Sequence, residues 1–192
     1  MAVSLTKGQT LSLTKSGGGA LTRVFMGLGW DAVAKGLFRK KSVDVDLDAS
    51  VLLFDGRGKL VDEVWFQHLR SKDGSVVHSG DNLTGEGDGD DEVVHLDLPA
   101  VPAAVQTLVF TVSSFTGQNF RQVQNAVCRL VDAAGPTEVE LARYELSEAG
   151  PHTALVMAKL TREGSGWAMT AIGAPAEGRH VRELRDAVAS HL

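Results

Sequence analysis

Residues 43–79 read VDVDLDASVLLFDGRGKLVDEVWFQHLRSKDGSVVHS, and the period of this stretch is that of β-structure. Val43, Val45 and Leu47 fall on one side of an extended chain and Asp44, Asp46 and Asp48 on the other, before a continuous apolar run over residues 51–54. Side chains that alternate every second residue mark a strand with one apolar face. Asp55-Gly56-Arg57-Gly58 then reads as a hairpin turn into a strand over residues 60–66, and Lys72-Asp73-Gly74 as another into residues 75–79. Asp and Gly adopt the turn conformations that other residues resist. Successive hairpins predict an antiparallel meander.

The same period continues outward in both directions. Val3, Leu5, Leu11 and Leu13 alternate with polar residues around Lys7-Gly8-Gln9, predicting two short strands, and residues 21–28 predict a third that runs into Gly27-Leu28-Gly29-Trp30-Asp31. Residues 32–42 carry Lys35, Arg39, Lys40 and Lys41 and read as an exposed excursion. Downstream, strands are predicted over residues 93–98, stopped by Pro99 and Pro102, and over residues 107–114. Phe120, Val123, Val127 and Leu130 stand at helical spacing behind a capping Asn119, so residues 119–130 predict a helix. Strands over 128–132, 138–145, 153–162 and 167–173 follow, and residues 181–192 close the chain as a second amphipathic helix. No internal repeat or linker divides the 192 residues, so one domain over 1–192 is expected.

Composition narrows the function classes. Aromatics are few (6%) and glycines many (21), a balance that favours short strands joined by turns. Cys128 is the single cysteine, which excludes an intramolecular disulfide and a cysteine-built zinc site. Residues 1–13 contain no hydrophobic stretch of signal-peptide length, and a cytoplasmic location is expected. The net charge of −5 conceals an asymmetry: Asp81, Glu86, Asp88, Asp90, Asp91 and Glu92 crowd into one short segment that holds no base, leaving the remainder close to neutral. A nucleic-acid binder needs a basic stripe to displace counterions, so this pattern argues for a cation instead.

That segment is Gly80-Asp81-Asn82-Leu83-Thr84-Gly85-Glu86-Gly87-Asp88-Gly89-Asp90-Asp91-Glu92. Calcium takes six to eight oxygens in flexible geometry, and glycines let a loop turn its carbonyls inward around an ion. A solvated acidic loop is the plainer alternative. Glycines at alternate positions, Asn and Thr among the acids, and strands on both sides favour the ion. The spacing is not that of an EF-hand.

Three segments, Gly29-Trp30-Asp31, Asp46-Leu47-Asp48-Ala49-Ser50 and the acidic loop from Gly80 to Glu92, resemble in order and spacing the signature of the TerD family of tellurium-resistance and stress-response proteins. The resemblance implies a two-sheet, mainly antiparallel β-sandwich with two short peripheral α-helices, binding two calcium ions and lacking enzymatic activity. Carried over by position, the metal ligands it implies are Asp31, Asp81, Asn82, Asp90, Asp91 and Glu92, with Thr84 and Gly85 giving carbonyls and Asp88 at a less fixed position. Other Ter-type proteins are the partners it suggests. An anionic surface at the inner membrane, met by Arg39-Lys40-Lys41, is an alternative partner, and a metal-dependent phosphoester hydrolase is the enzymatic one.

The remaining candidates carry less. Asp46 and Asp48 share one side of their strand, as metal ligands would and as a solvated face would. His68, His78 and His95 lack the paired spacing of a zinc or dinuclear site and read as surface or hydrogen-bonded histidines. Cys128 reads as a buried thiol, Ser113-Ser114 lacks a nucleophile-elbow context, and Trp30, Trp65 and Trp167 read as core anchors. Gly17-Gly18-Gly19 lacks the lysine of a phosphate loop.

Overall fold

The computed structural model describes residues 2–13, 19–32, 46–80, 89–146 and 150–192. Two six-stranded sheets face each other. The first contains, in spatial order, β1 (Val3–Ser4), β10 (Val139–Glu145), β9 (Val123–Asp132), β3 (Arg23–Ala32), β7 (Glu92–Asp97) and β6 (Val76–His78). The second contains β2 (Thr10–Leu13), β12 (Gly166–Ala176), β11 (Ala154–Glu163), β8 (Val105–Ser114), β4 (Leu47–Asp55) and β5 (Leu60–Val64). The β1–β10 pair is parallel and the other named pairs are antiparallel. The sandwich expected from the sequence is therefore the fold.

Two expectations are corrected. The predicted meander is not one: β4 and β5 form a hairpin in the second sheet, and the chain then crosses to the first sheet before β6. The turn at Gly74 forms as read, with Gly74 N–H donating to Ser71 O at 2.9 Å and Ser75 N–H to Asp73 Oδ1 at 2.8 Å, but it lies after the crossing. The second correction concerns residues 119–130. Asn119 does cap a turn, but a single 3-10 turn over Phe120–Gln122, and the chain then extends as β9. Ala126, Cys128 and Leu130 alternate into the core, and the β-branched Val123, Val127 and Val131 suit a pleated strand. Among the described residues one short α-helix, α1 (Arg185–Ala189), therefore stands where two were expected.

The apolar run over residues 51–54 is continuous because β4 is buried on both faces. Leu47, Ala49, Val51 and Leu53 point between the sheets. Leu52 and Phe54 point outward, into a second cluster with Val109 and Val156 that is covered by Val181, Leu184 and Val188 of the C-terminal segment. Glu63 fastens that cover, accepting from Arg182 Nε at 2.8 Å and Arg185 Nη2 at 2.6 Å. Trp30, Trp65 and Trp167 are buried, as expected of core anchors. Among the described residues no helix is long and apolar enough to cross a membrane.

Candidate metal centre

The acidic loop connects β6 to β7, so the pairing of those strands closes its base: His78 pairs with Val94, and Ser79 N–H donates to Val93 O at 2.8 Å. Asp81, Asn82, Thr84, Gly85 and Asp88, together with the Arg39-Lys40-Lys41 cluster, lie outside the described residues. The last three acids of the loop are described, and each is held by a different part of the sandwich.

Asp90 lies on the outer face of the first sheet. Arg129 of β9 donates to both of its oxygens, Nε to Oδ1 at 2.7 Å and Nη2 to Oδ2 at 2.8 Å, the two-pronged geometry that suits a carboxylate. The hydrogen bonds that Arg129 donates to Asp90, outweighing burial, raise the guanidinium above its already high ordinary value. Two glycines of β3 make room for this. A Cβ on Gly27 would be built into the Asp90 carboxylate, and one on Gly29 would lie 2.8 Å from Gly89 O.

Asp91 is held by the backbone of β3. Its N–H donates to Leu28 O at 2.8 Å, and its Oδ2 accepts from Trp30 N–H at 2.9 Å. Leu28 and Glu92 are the last pair between β3 and β7. The Asp91 carboxylate thus takes up a backbone donor just beyond the end of the ladder, beside the register shift between Gly29 and Asp31. The β3 backbone at Asp31 pairs with Gln124.

Glu92 turns the other way, between the sheets, and is fully buried. Its Oε2 accepts from Ala49 N–H of β4 at 2.6 Å and lies 3.3 Å from His78 Nε2. His78 Nε2 in turn lies 3.0 Å from Ala49 O, while its Nδ1 accepts from Gly80 N–H at 3.1 Å. A ring whose Nδ1 accepts carries its proton on Nε2, so His78 donates toward Ala49 O. Pairing of β4 with β5 ends at Val51 and Val64. Two side chains of the opposite sheet therefore serve the N–H and C=O of Ala49 where no strand partner continues.

The other sequence candidates divide clearly. Asp46 and Asp48 are buried, which removes the solvated-face reading. Cys128 is fully buried and its thiol is pushed up to about 12 by burial. His78 is the hydrogen-bonded histidine of the three. Arg129, Trp30 N–H and the Ala49 backbone were not singled out by sequence reasoning. Arg129 had one available signal, a basic residue between the apolar Cys128 and Leu130. Among the described residues no three His, Cys, Asp or Glu side chains gather as a metal-ligating group.

The TerD domain model matches residues 1–186 of the chain. Tellurium resistance protein TerZ of Serratia marcescens is 49% identical over 193 residues, covering 98% of this chain and 97% of that protein. General stress protein 16U of Bacillus subtilis (strain 168) is 41% identical over 194 residues, covering 97% of each. A solved structure of a homologue of telluride resistance protein (TerD) from Streptomyces coelicolor A3(2) aligns with a TM-score of 0.66 at 23% identity, over 83% of this chain and 92% of that one, and so has the same fold. With the model and both relatives spanning nearly its whole length, the chain belongs to the TerD family of tellurium resistance and stress response proteins.

Proposed function

We propose that the chain is a non-catalytic, calcium-dependent binding or scaffold module of the stress response, in which Asp31, Asp81, Asn82, Thr84, Gly85, Asp88, Asp90, Asp91 and Glu92 hold two calcium ions. The observation that supports this reading is the stem of the loop. Asp90, Asp91 and Glu92 are fastened by Arg129, Trp30 N–H and Ala49 N–H at one end of the acidic stretch, and the β6–β7 pairing with Ser79 N–H to Val93 O holds the other. A frame of this kind limits the ordering that ion binding must impose.

The residues fit the ion in kind. The candidate side-chain donors are oxygens, as calcium requires, and the β3 glycines make room for the Asp90 carboxylate and the Gly89 carbonyl at the loop's end. Residues 81–88 contain three acids and no base, and calcium, when bound, supplies the positive charge this stretch lacks. Arg129 leaves one lone pair on each Asp90 oxygen, while the Asp91 and Glu92 carboxylates accept from Trp30 N–H and Ala49 N–H. Asp90 can therefore fasten the loop and ligate at once.

Calcium titration followed by native mass measurement tests the reading. The acidic-loop residues should account for two calcium ions, bound much more tightly than magnesium, since a glycine-rich oxygen shell suits the larger ion. Equal affinity for both metals contradicts it. The partner reading is a calcium-dependent complex with another Ter-type protein. Co-sedimentation with anionic liposomes in calcium and in chelator tests the membrane alternative, and a phosphoester panel the hydrolase.

A further inference from the structure

On the outer face of the second sheet, Leu52, Phe54, Val109 and Val156 form an apolar patch covered by the C-terminal segment, and polar residues follow at the Asp48 end of β4. There β4 presents Asp48 and Ser50, and β8 presents Ser113 and Thr111 directly opposite them, in the register Asp48 to Ser113 and Ser50 to Thr111. These four share the side of their strands that carries Leu52 and Val109 in the outer cluster. All four are buried, and Asp46, two residues before Asp48, is buried with them. The Thr111 Oγ1 and Ser113 Oγ hydroxyls are shut off from solvent and make no hydrogen bond. Native interiors rarely leave such groups unmet without a water or an ion. Asp46 and Asp48 already have interaction partners, so the case rests on the hydroxyls.

Side chains directly opposite on one face of an antiparallel pair have Cβ atoms about 4.5–5.5 Å apart, close enough for their oxygens to converge on one ion at about 2.3–2.6 Å. Two carboxylates and three hydroxyls, with no sulfur or imidazole in the set, are the donors of a hard divalent cation. The strand that carries them is already fixed, because Glu92 and His78 hold Ala49, the residue between Asp48 and Ser50, through its N–H and C=O.

We propose that Asp48, Ser113 and Thr111, with Asp46 and Ser50, form a further calcium-type cation site on the outer face of the second sheet. It uses none of the acidic-loop residues, so its failure and that of the loop reading are separable. The test is a calcium titration of the full chain, counted by native mass, on wild type, Asp48→Asn, the double variant Thr111→Val with Ser113→Ala, and Asp81→Asn. Asp48→Asn and the double variant should each bind one ion fewer than wild type, while Asp81→Asn keeps that ion. The double variant also controls for folding. In chelator it should melt at or above the wild-type temperature, because it deletes unmet hydroxyls, and in saturating calcium below it. An unchanged ion count and affinity in the double variant would assign the hydroxyls to water and overturn the site, as would a wild type that binds no calcium. Loss of ions in Asp81→Asn alone overturns this site and leaves the loop reading standing; loss in the double variant alone does the reverse.

Discussion

Arg129 clasps Asp90 across β3 with two parallel hydrogen bonds, through the gap left by the missing side chain of Gly27. A charge that sequence reasoning assigned to an outside ion is thus met in part from inside the chain. Gly27→Ala should evict the Asp90 carboxylate and destabilise the protein by about 1–3 kcal/mol, the usual cost of crowding a packed site. Urea unfolding in chelator measures this, and a variant as stable as wild type would show that the contact carries no weight.

Removing the guanidinium gives a complementary expectation. Arg129→Met should cost about 1 kcal/mol, since the arginine is partly exposed while Asp90 is nearly buried. Combined with Asp90→Asn, the double-mutant cycle should show a coupling energy of similar size. A coupling near zero would mean that the loop is held by other groups.

Glu92 and His78 converge on one residue of the opposite sheet. Glu92→Ala would leave Ala49 N–H without its acceptor in a fully buried site, and a cost of about 2–4 kcal/mol is expected. Glu92→Gln keeps an oxygen acceptor and should cost less. Thermal unfolding of the two variants in chelator separates them, and equal losses would place the stabilisation in the charge rather than in the hydrogen bond.

Acid should loosen the C-terminal cover. Burial raises the Glu63 carboxyl, but hydrogen bonds from Arg185 and Arg182 outweigh it and hold the group below its ordinary value of 4.5. A depressed folded value adds stability above the unfolded one, which is lost as pH falls through the folded one. Glu63→Gln should therefore melt about 2–4 °C below wild type at pH 7, corresponding to about 1 kcal/mol, with the gap closing below about pH 4.5. A gap independent of pH would make the effect one of packing.

Cys128 should be inert in the folded protein. The thiolate is the reactive form, and burial that shuts off solvent and pushes the thiol up to about 12 denies it both access and charge. Ellman's reagent should label it only at the rate of unfolding, and immediate labelling in native buffer would contradict the placement of β9.

Much of this architecture was legible because a strand with one apolar face writes its period into the chain. Residues 107–114, 153–162 and 167–173 read as strands and are strands, give or take three residues at an end. Residues 119–130 misled because Phe120, Val123, Val127 and Leu130 fit helical spacing while Ala126, Cys128 and Leu130 fit a strand, and tertiary pairing with β3 and β10 selects the strand. The crossing between β5 and β6 was hidden, since a turn within a sheet and a turn after a crossing use the same residues. Burial of Asp46 and Asp48 was hidden for a related reason: alternation shows that two faces differ, not what covers the polar one. Arg129 stands 39 residues from Asp90, and only the sheet brings them together.

The most direct test of the calcium reading is thermal unfolding of wild type and Asp81→Ala, each in chelator and in saturating calcium. Free calcium at about one hundred times its dissociation constant should stabilise wild type by about 2.7 kcal/mol per independent site, a clear rise in melting temperature. Asp81→Ala should lose most of that rise, yet in chelator melt at or slightly above the wild-type temperature, since it removes one of a set of repelling acids. That reversal of sign marks a ligand. A calcium-dependent rise that survives intact in Asp81→Ala, or no rise in wild type, would contradict the account.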